Sequence, residues 1–171
     1  MLHQIFWPEG FVPGMTDNFA SNEIIVPGLT AQDVWPYIVN TALWPKYYNN
    51  ASHIEIENGE DSKLFEGARF RFVTFGLKVE ARVNEFIPPT ATEPGRIAWN
   101  GWVEGDERSY LEVHHAWLFE NLPGNRLRML TQETQNGLPA MEMAVTKPNP
   151  MINAHQDWLE GLASAAKEKL V

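Results

Sequence analysis

The sequence contains no cysteine and has far fewer basic than acidic residues, and these two shortages exclude several kinds of protein. Without thiols there is no disulfide, no thiolate nucleophile, no cysteine-ligated zinc and no iron–sulfur cluster. The 13 lysines and arginines stand against 22 acidic residues, which gives a net charge of −9. Because no basic cluster interrupts this balance, we expect binding neither to nucleic acid nor to anionic membranes.

Long apolar runs and recognised cofactor motifs are also missing. No stretch approaches the ~20 apolar residues that cross a bilayer, so we expect no membrane span. Residues 1–14 lack a basic segment and contain two prolines, which is unlike a signal peptide and favours a cytoplasmic protein. The sequence has no phosphate-binding loop, no nucleophile elbow and no His-Glu-x-x-His, so we expect no cofactor and no metal.

Aromatic residues, by contrast, are plentiful. The 171 residues include seven Trp, nine Phe and four Tyr. A chain of this length forms one domain on the usual expectation. Rings in this number build either a large core or a cavity for an apolar ligand.

Patterning divides the chain into an irregular arm over residues 1–20 and a domain over residues 21–171. The arm has no period but many apolar residues, and we expect it to lie on the rest of the molecule because free tails are seldom so apolar. The spacing of apolar residues and turn signals predicts the elements of the domain. These are a strand at 23–26, short helices at 31–40 and 41–48, strands at 53–57, 68–75, 77–86, 96–103, 109–121 and 126–135, a loop at 138–149 and a long helix at 150–170.

This order predicts an α+β helix-grip fold. Consecutive strands joined by short turns form an antiparallel meander, and the terminal helix must cover one face of it. We therefore expect a curved sheet of about seven strands wrapped round a long C-terminal helix. Two short helices follow the first strand, and space remains between the sheet and the terminal helix.

The alternation of each strand and the angular spacing of the terminal helix assign residues to the space between them. Candidate ligand-binding residues on these inner faces are Phe70, Phe72, Trp99, Trp117, Met129, Thr131, His155 and Trp158. No lysine or arginine falls on an inner face that we can assign. This argues against a phosphate, a nucleotide or a coenzyme A tail, which need cationic anchors.

His115 and Glu133 are the candidate catalytic residues. They lie on consecutive strands. In an antiparallel pair, the numbers of two directly opposed residues add up to a constant, the pairing sum. A pairing sum of 248 places His115 and Glu133 directly opposite each other, whereas a sum of 246 leaves them diagonal. A carboxylate on a buried face is costly unless it is paired or protonated, which indicates a role other than stability. The structural alternative is a half-solvated Glu133 at the rim, a satisfied polar His115 in the sheet and a His155 bonded to a loop carbonyl.

The outer sheet face keeps more apolar residues than a solvated surface requires. They are Val73, Phe75, Trp102, Leu118 and Leu130. We expect the arm or a second subunit to cover them. A homodimer through the outer sheet face or the arm follows as one hypothesis.

Several local strings resemble the START-like superfamily, the polyketide cyclase/dehydrase and lipid-transport group (SRPBCC). They are Ala31-Gln32-Asp33-Val34-Trp35, Trp44-Pro45-x-Tyr47-Tyr48-Asn49, Trp117-x-Phe119, Pro123-Gly124-Asn125 and Thr131-x-Glu133-Thr134. The resemblance covers residues 20–170 and implies a deep cavity for hydrophobic or aromatic molecules. It supplies no universal catalytic motif, and the ring-hydroxylase members differ because the sequence shows no two-histidine, one-carboxylate set at suitable spacing.

Three functions stay open. The first is binding of an apolar, aromatic or polycyclic small molecule whose polar end His115 and Glu133 orient. The second is a cyclase- or dehydratase-type enzyme in which His115 shuttles a proton and Glu133 holds its tautomer. The third is a protein-interaction module.

Overall fold

The computed structural model describes residues 1–57, 59 and 61–170, so positions 58, 60 and 171 of the expected domain lie outside the described residues. The described residues form seven strands, four α-helices and one 3-10 helix. In chain order these are β1 (Asn18–Pro27), α1 (Ala31–Val39), the 3-10 helix (Thr41–Leu43), α2 (Trp44–Tyr47), β2 (Ser52–Ile56), β3 (Arg69–Thr74), β4 (Leu77–Ile87), β5 (Gly95–Val103), β6 (Leu111–Leu122), β7 (Arg126–Asn136), α3 (Leu138–Val145) and α4 (Pro150–Glu168).

The strands form one antiparallel sheet in the order β1-β7-β6-β5-β4-β3-β2. Strands β2 to β7 follow one another as a meander because short connections join them, and β1 closes the far edge beside β7. Helices α1 and α4 pack on the inner face of the sheet. The expected α+β helix-grip fold is confirmed. Among the described residues, no helix has both the length and the apolar character needed to cross a membrane.

Local sequence explains where the two packed helices begin. Thr30 and Asp33 form a reciprocal capping box at the start of α1. At the start of α4 the Asn149 side chain accepts a hydrogen bond of 3.1 Å from the Met151 backbone, and Pro150 occupies the first turn. These caps satisfy backbone N–H groups that helix starts leave free.

The buried stripe of α4 agrees with its predicted angular spacing. It contains Met151, His155, Trp158, Leu159, Leu162 and Ala166. Gly161 brings the helix close to α2, because a Cβ at this position would collide with the Tyr47 carbonyl oxygen. The close approach stacks Trp158 on Tyr48, with ring centroids 4.3 Å apart.

Two predicted boundaries are wrong. Residues 138–145 form helix α3 instead of a loop. The helix has only eight residues and no capping side chain, so its pattern is too weak to separate it from a loop. Strand β1 begins at Asn18 and not at residue 23, because its whole length pairs with β7, so residues 18–20 of the expected arm belong to the sheet.

The rest of the arm lies along the outer sheet face, as expected. Ile5 packs in one cluster with Ala98, Ala116, Leu118 and Leu130. Side chains of the sheet also bond the arm's backbone: Arg128 donates to the carbonyl of His3 (2.9 Å), Arg96 to that of Gln4 (2.8 Å) and Thr134 to that of Phe11 (2.9 Å). The arm therefore covers Leu118 and Leu130, and a homodimer through this face stays a prediction.

Candidate functional site

A cavity of about 60 Å³ lies between the sheet and α4, at the end of the sheet marked by the β3–β4 turn and α3. It is lined by Tyr48, Phe72, Thr74, Phe75, Leu77, Val79, Trp99, Leu111, Val113, His115, Glu133, Gln135, Met143, Met151, His155 and Trp158. The remaining space between the layers is closed by rings. Trp44, Phe70, Trp117 and Phe119 are buried there and pack on their aromatic neighbours.

Six of the ten predicted site residues line this cavity. They are Phe72, Trp99, His115, Glu133, His155 and Trp158. Phe70, Trp117 and Met129 lie instead in the closed core, and Thr131 is buried behind His115. In the described part of the chain, the cavity thus lies at the polar end of the space between the layers.

Sequence reasoning missed ten lining residues, and some of them carried a signal. Strand alternation assigns four of them to the inner face of the sheet: Leu77, Val79, Leu111 and Val113. Gln135 follows Glu133 by two residues on β7 and therefore points to the same face. Met143 could not be assigned to the cavity from the sequence, because its helix was predicted as a loop.

Phe75 was placed on the outer face, and this prediction is wrong. It occupies a two-residue turn with Gly76, where both residues have positive φ (51° and 73°). Alternate residues share a face only within a strand, so the alternation along β3 does not predict the direction of a side chain in this turn. The Phe75 ring consequently lines the cavity mouth, where it is 40% exposed.

His115, Glu133 and His155 form a buried polar corner on the inner wall of the cavity. His115 pairs directly with Glu133 across β6 and β7, which confirms the pairing sum of 248. The His115 Nδ1 atom lies 3.1 Å from Glu133 Oε2, and the His155 Nε2 atom lies 3.4 Å from the same oxygen. The two imidazole rings stack with centroids 4.6 Å apart.

The burial of this corner contradicts two of the three parts of the structural alternative. Glu133 is only 6% exposed, so it is not a half-solvated residue at the rim. His155 does not bond a loop carbonyl: its Nε2 faces Glu133, and its Nδ1 has no partner among the described residues. His115 agrees with the third part, because both of its ring nitrogens have polar partners. A carboxylate and two imidazoles therefore share one buried site.

A chain of amide side chains holds the other carboxylate oxygen. Gln135 donates to Glu133 Oε1 (2.5 Å), Asn18 donates to Gln135 (2.7 Å), and Asn149 donates to Asn18 (2.7 Å). The chain ends at the residue that caps α4. Because Oε1 is fixed by an amide, Oε2 is left facing the two imidazoles.

Thr131 contacts the ring nitrogen of His115 that faces away from Glu133. Its hydroxyl lies 2.8 Å from His115 Nε2 and 3.3 Å from the Ala116 carbonyl oxygen, and the first contact fits either neutral tautomer of the imidazole. Burial, and secondarily the charge of His155, lowers the pKa of His115 well below its ordinary value. At 3.1 Å, His115 Nδ1 and Glu133 Oε2 are close enough to share one proton or to bind one cation.

Two further polar atoms on α4 lack partners. Trp158 Nε1 and His155 Nδ1 are buried without a hydrogen bond among the described residues. Native structures rarely leave such groups unpaired, except where a water, ion or ligand binds. Both residues line the cavity.

No protein-family model and no curated protein sequence matches the chain. Among solved structures, a hypothetical protein from Helicobacter pylori is 44% identical, with a TM-score of 0.93 over 97% of this chain and 98% of that one. A protein in the dynemicin biosynthetic locus is 16% identical (TM-score 0.61, 88% of this chain and 47% of that one). Truncated norcoclaurine synthase from Thalictrum flavum is 13% identical (TM-score 0.55, 90% and 93%). The last two likenesses show the helix-grip fold alone.

Proposed function

We propose that this chain, which belongs to the same family as the hypothetical protein from Helicobacter pylori, binds a small molecule with an apolar body and a polar end. The polar end would enter the cavity and meet His115, Glu133 and His155. The observation that carries the proposal is the buried Glu133 carboxylate at the inner wall of a largely apolar cavity. Stability alone is a weak reason to keep it there.

The volume of the cavity limits how the ligand binds. Pockets that enclose drug-sized ligands measure roughly 300–1,000 Å³, whereas this cavity measures about 60 Å³. Only the polar end and a few adjoining atoms fit inside. The apolar body would lie across the mouth, where Phe75 and Leu77 are 40% and 37% exposed. A polycyclic ligand held wholly inside does not fit this conformation.

The polar groups define the chemistry of the end that enters. The described lining residues include no lysine or arginine, so an anionic group would find no charged partner. Glu133 favours a donor or a cation, and the unpaired Trp158 Nε1 favours an acceptor. A phenol, an alcohol or an amine on an aromatic or short aliphatic body meets these conditions.

Acid–base catalysis in the same cavity is the second candidate, and the short distance between His115 Nδ1 and Glu133 Oε2 favours it. A proton held between these two atoms is positioned for transfer to a bound substrate. Thr131, together with Glu133, would hold the His115 ring in place. The fold likeness to a synthase is consistent with this candidate and supplies no residue for it.

Native mass spectrometry of the purified chain, followed by ligand-observed NMR with small phenols and arylamines, tests the binding function. We expect a copurified molecule or fragment binding that Glu133→Gln and Trp158→Phe weaken. The matched control is His114→Asn, which changes a buried histidine on the opposite sheet face. Equal binding by wild type and Glu133→Gln, or no bound molecule in either assay, would contradict the proposal.

His115→Asn separates the two candidates. Binding that persists while conversion of the bound molecule stops indicates catalysis. Equal loss of binding and conversion, or a bound molecule that wild type never converts, indicates a carrier.

A further inference from the structure

We propose that His115, Glu133 and His155 together bind a divalent transition-metal ion, such as Zn²⁺ or Fe²⁺, at the inner wall of the cavity. The three residues come from β6, β7 and α4, and their nearest donor atoms all lie within 4.8 Å of one another. All three are buried. This site does not depend on the proposed organic ligand, because the metal alone tests it.

The two separations that involve the carboxylate suit a shared ion. Donor atoms bound at ~2.0–2.2 Å from one metal lie ~3.0–3.4 Å apart in the common geometries. Glu133 Oε2 lies 3.1 Å from His115 Nδ1 and 3.4 Å from His155 Nε2. Two imidazoles and one carboxylate are a donor set of catalytic zinc sites and of non-haem iron sites.

The charge of the site also favours a cation. Within the described part of the chain, the only ion-pair partners of Glu133 are these two histidines. His115 Nδ1 and His155 Nε2 are the imidazole atoms that face its Oε2. Metal ions bind neutral imidazole and ionised carboxylate, so an ion would enter this corner in place of the protons there.

Contacts behind the donors orient two of them as metal ligands are usually oriented. With an ion on Nδ1, the Thr131 hydroxyl is placed to accept from His115 Nε2–H, and Gln135 donates to Glu133 Oε1, which directs Oε2. His155 lacks such support because its Nδ1 has no partner among the described residues. We therefore expect His155 to be the most weakly held ligand.

The ion would keep open positions toward the cavity. Since all three ligands line it, water or an oxygen donor of a bound molecule can complete the coordination from that side. The described residues group three such donors here, and three protein donors are the arrangement of a catalytic and not of a closed structural site.

Titration of the full chain with Co²⁺ after treatment with a chelator tests the site. We expect one ion per chain, a visible absorption band typical of low-symmetry Co²⁺, and displacement of that band by Zn²⁺. Glu133→Gln should abolish the band. Thr131→Val and Gln135→Leu should weaken binding about 10–100-fold without removing a ligand.

His114→Asn is the control for histidine-dependent binding elsewhere, since His114 faces the opposite side of the sheet. It should bind Co²⁺ like wild type. A spectrum of hydrated Co²⁺ only, an unchanged affinity in Glu133→Gln, or an equal loss in His114→Asn would overturn the proposal.

Anomalous scattering from a Zn²⁺-soaked crystal of wild type tests the site without any variant, so a misfolded mutant cannot decide the outcome. A single peak between the three donor atoms supports the proposal, and a peak elsewhere or none overturns it. A chain that binds Zn²⁺ here but none of the organic fragments would keep this inference and reject the organic ligand.

Discussion

The two faces of the sheet differ most clearly at His114 and His115, neighbours on β6 that point in opposite directions. Both are buried, at 2% and 3% exposure. Burial lowers the pKa of His114 to about 4 and that of His115 well below its ordinary value. His114 lies under Trp7 and Phe11 of the arm, whereas His115 faces Glu133 and a cavity.

The buried carboxylates show what this difference means. On the outer face Glu120 is paired with Arg128 at 3.0 Å, and the same arginine bonds Glu23 at 2.7 Å. On the inner face Glu133 has two imidazoles and no guanidinium or ammonium group among its described partners. Because a buried carboxylate without a strong cationic partner opposes folding, the paired carboxylate of the outer face suits stability, whereas the inner one agrees with the binding role that we propose.

The largest effect is expected in the closed aromatic half of the inner layer. Trp44 is fully buried, packs on Phe70, Trp99 and Trp158, and donates to the Ile38 carbonyl at 3.0 Å. Trp44→Ala should lower the free energy of unfolding by ~3–5 kcal/mol because it leaves a cavity. Urea unfolding measures this loss, and Trp44→Phe should lose much less. A loss no larger than that of a surface substitution would show that the inner rings pack loosely.

Removal of the arm should have the next largest effect. Deletion of residues 1–16 leaves β1 intact but exposes Leu118 and Leu130, and it removes the buried Ile5 and Phe11. We expect the free energy of unfolding to fall by about 2–4 kcal/mol, a net value that allows for the conformational entropy lost when the arm is ordered. We also expect self-association. Urea unfolding and light scattering measure the two effects. A soluble monomer with unchanged stability would mean that the arm does not stabilise the sheet.

The two buried carboxylates should respond in opposite ways to the same change. Glu120→Gln weakens the pairing with Arg128 and should cost ~1–2 kcal/mol. Glu133→Gln removes a buried carboxyl group whose partners are imidazoles and not a guanidinium group, and it should leave the free energy of unfolding equal or higher. Paired unfolding curves at neutral pH, after chelator treatment, measure the difference. Similar losses in the free energy of unfolding for both variants would show that the carboxylates of the two faces do not differ in this way.

The smallest effect is expected from acid. Burial tends to raise the pKa of Glu120, but hydrogen bonds from His3 and Arg128 outweigh it and hold the pKa below its ordinary value. A lowered pKa means that the ionised form stabilises the fold above the ordinary carboxyl range near pH ~4.3, and that this contribution is lost as the pH falls through the lowered value. Amide hydrogen exchange at residues 3–11 should accelerate as the pH falls through this lowered value. Glu120→Gln is the control, and its exchange should lack this acid-dependent step.

Much of the site was accessible from strand periodicity alone. Alternation placed His115 and Glu133 on the inner face, and of the two registers considered, with sums of 248 and 246, the first is observed. The angular spacing of α4 placed His155 in its apolar stripe. The convergence of His155 on the other two residues was not predictable, because the three residues share no sequence spacing.

The sequence by itself determined the helix-grip architecture, the inner and outer face of each strand and the start of α4, because these follow from repeats of two or 3.6 residues and from caps that act over a few positions. Only the tertiary structure decided how far the rings close the space, that α3 and Phe75 border its mouth, and that a carboxylate and two imidazoles meet there. Such distances depend on how side chains from separate elements pack against one another, which no local pattern encodes.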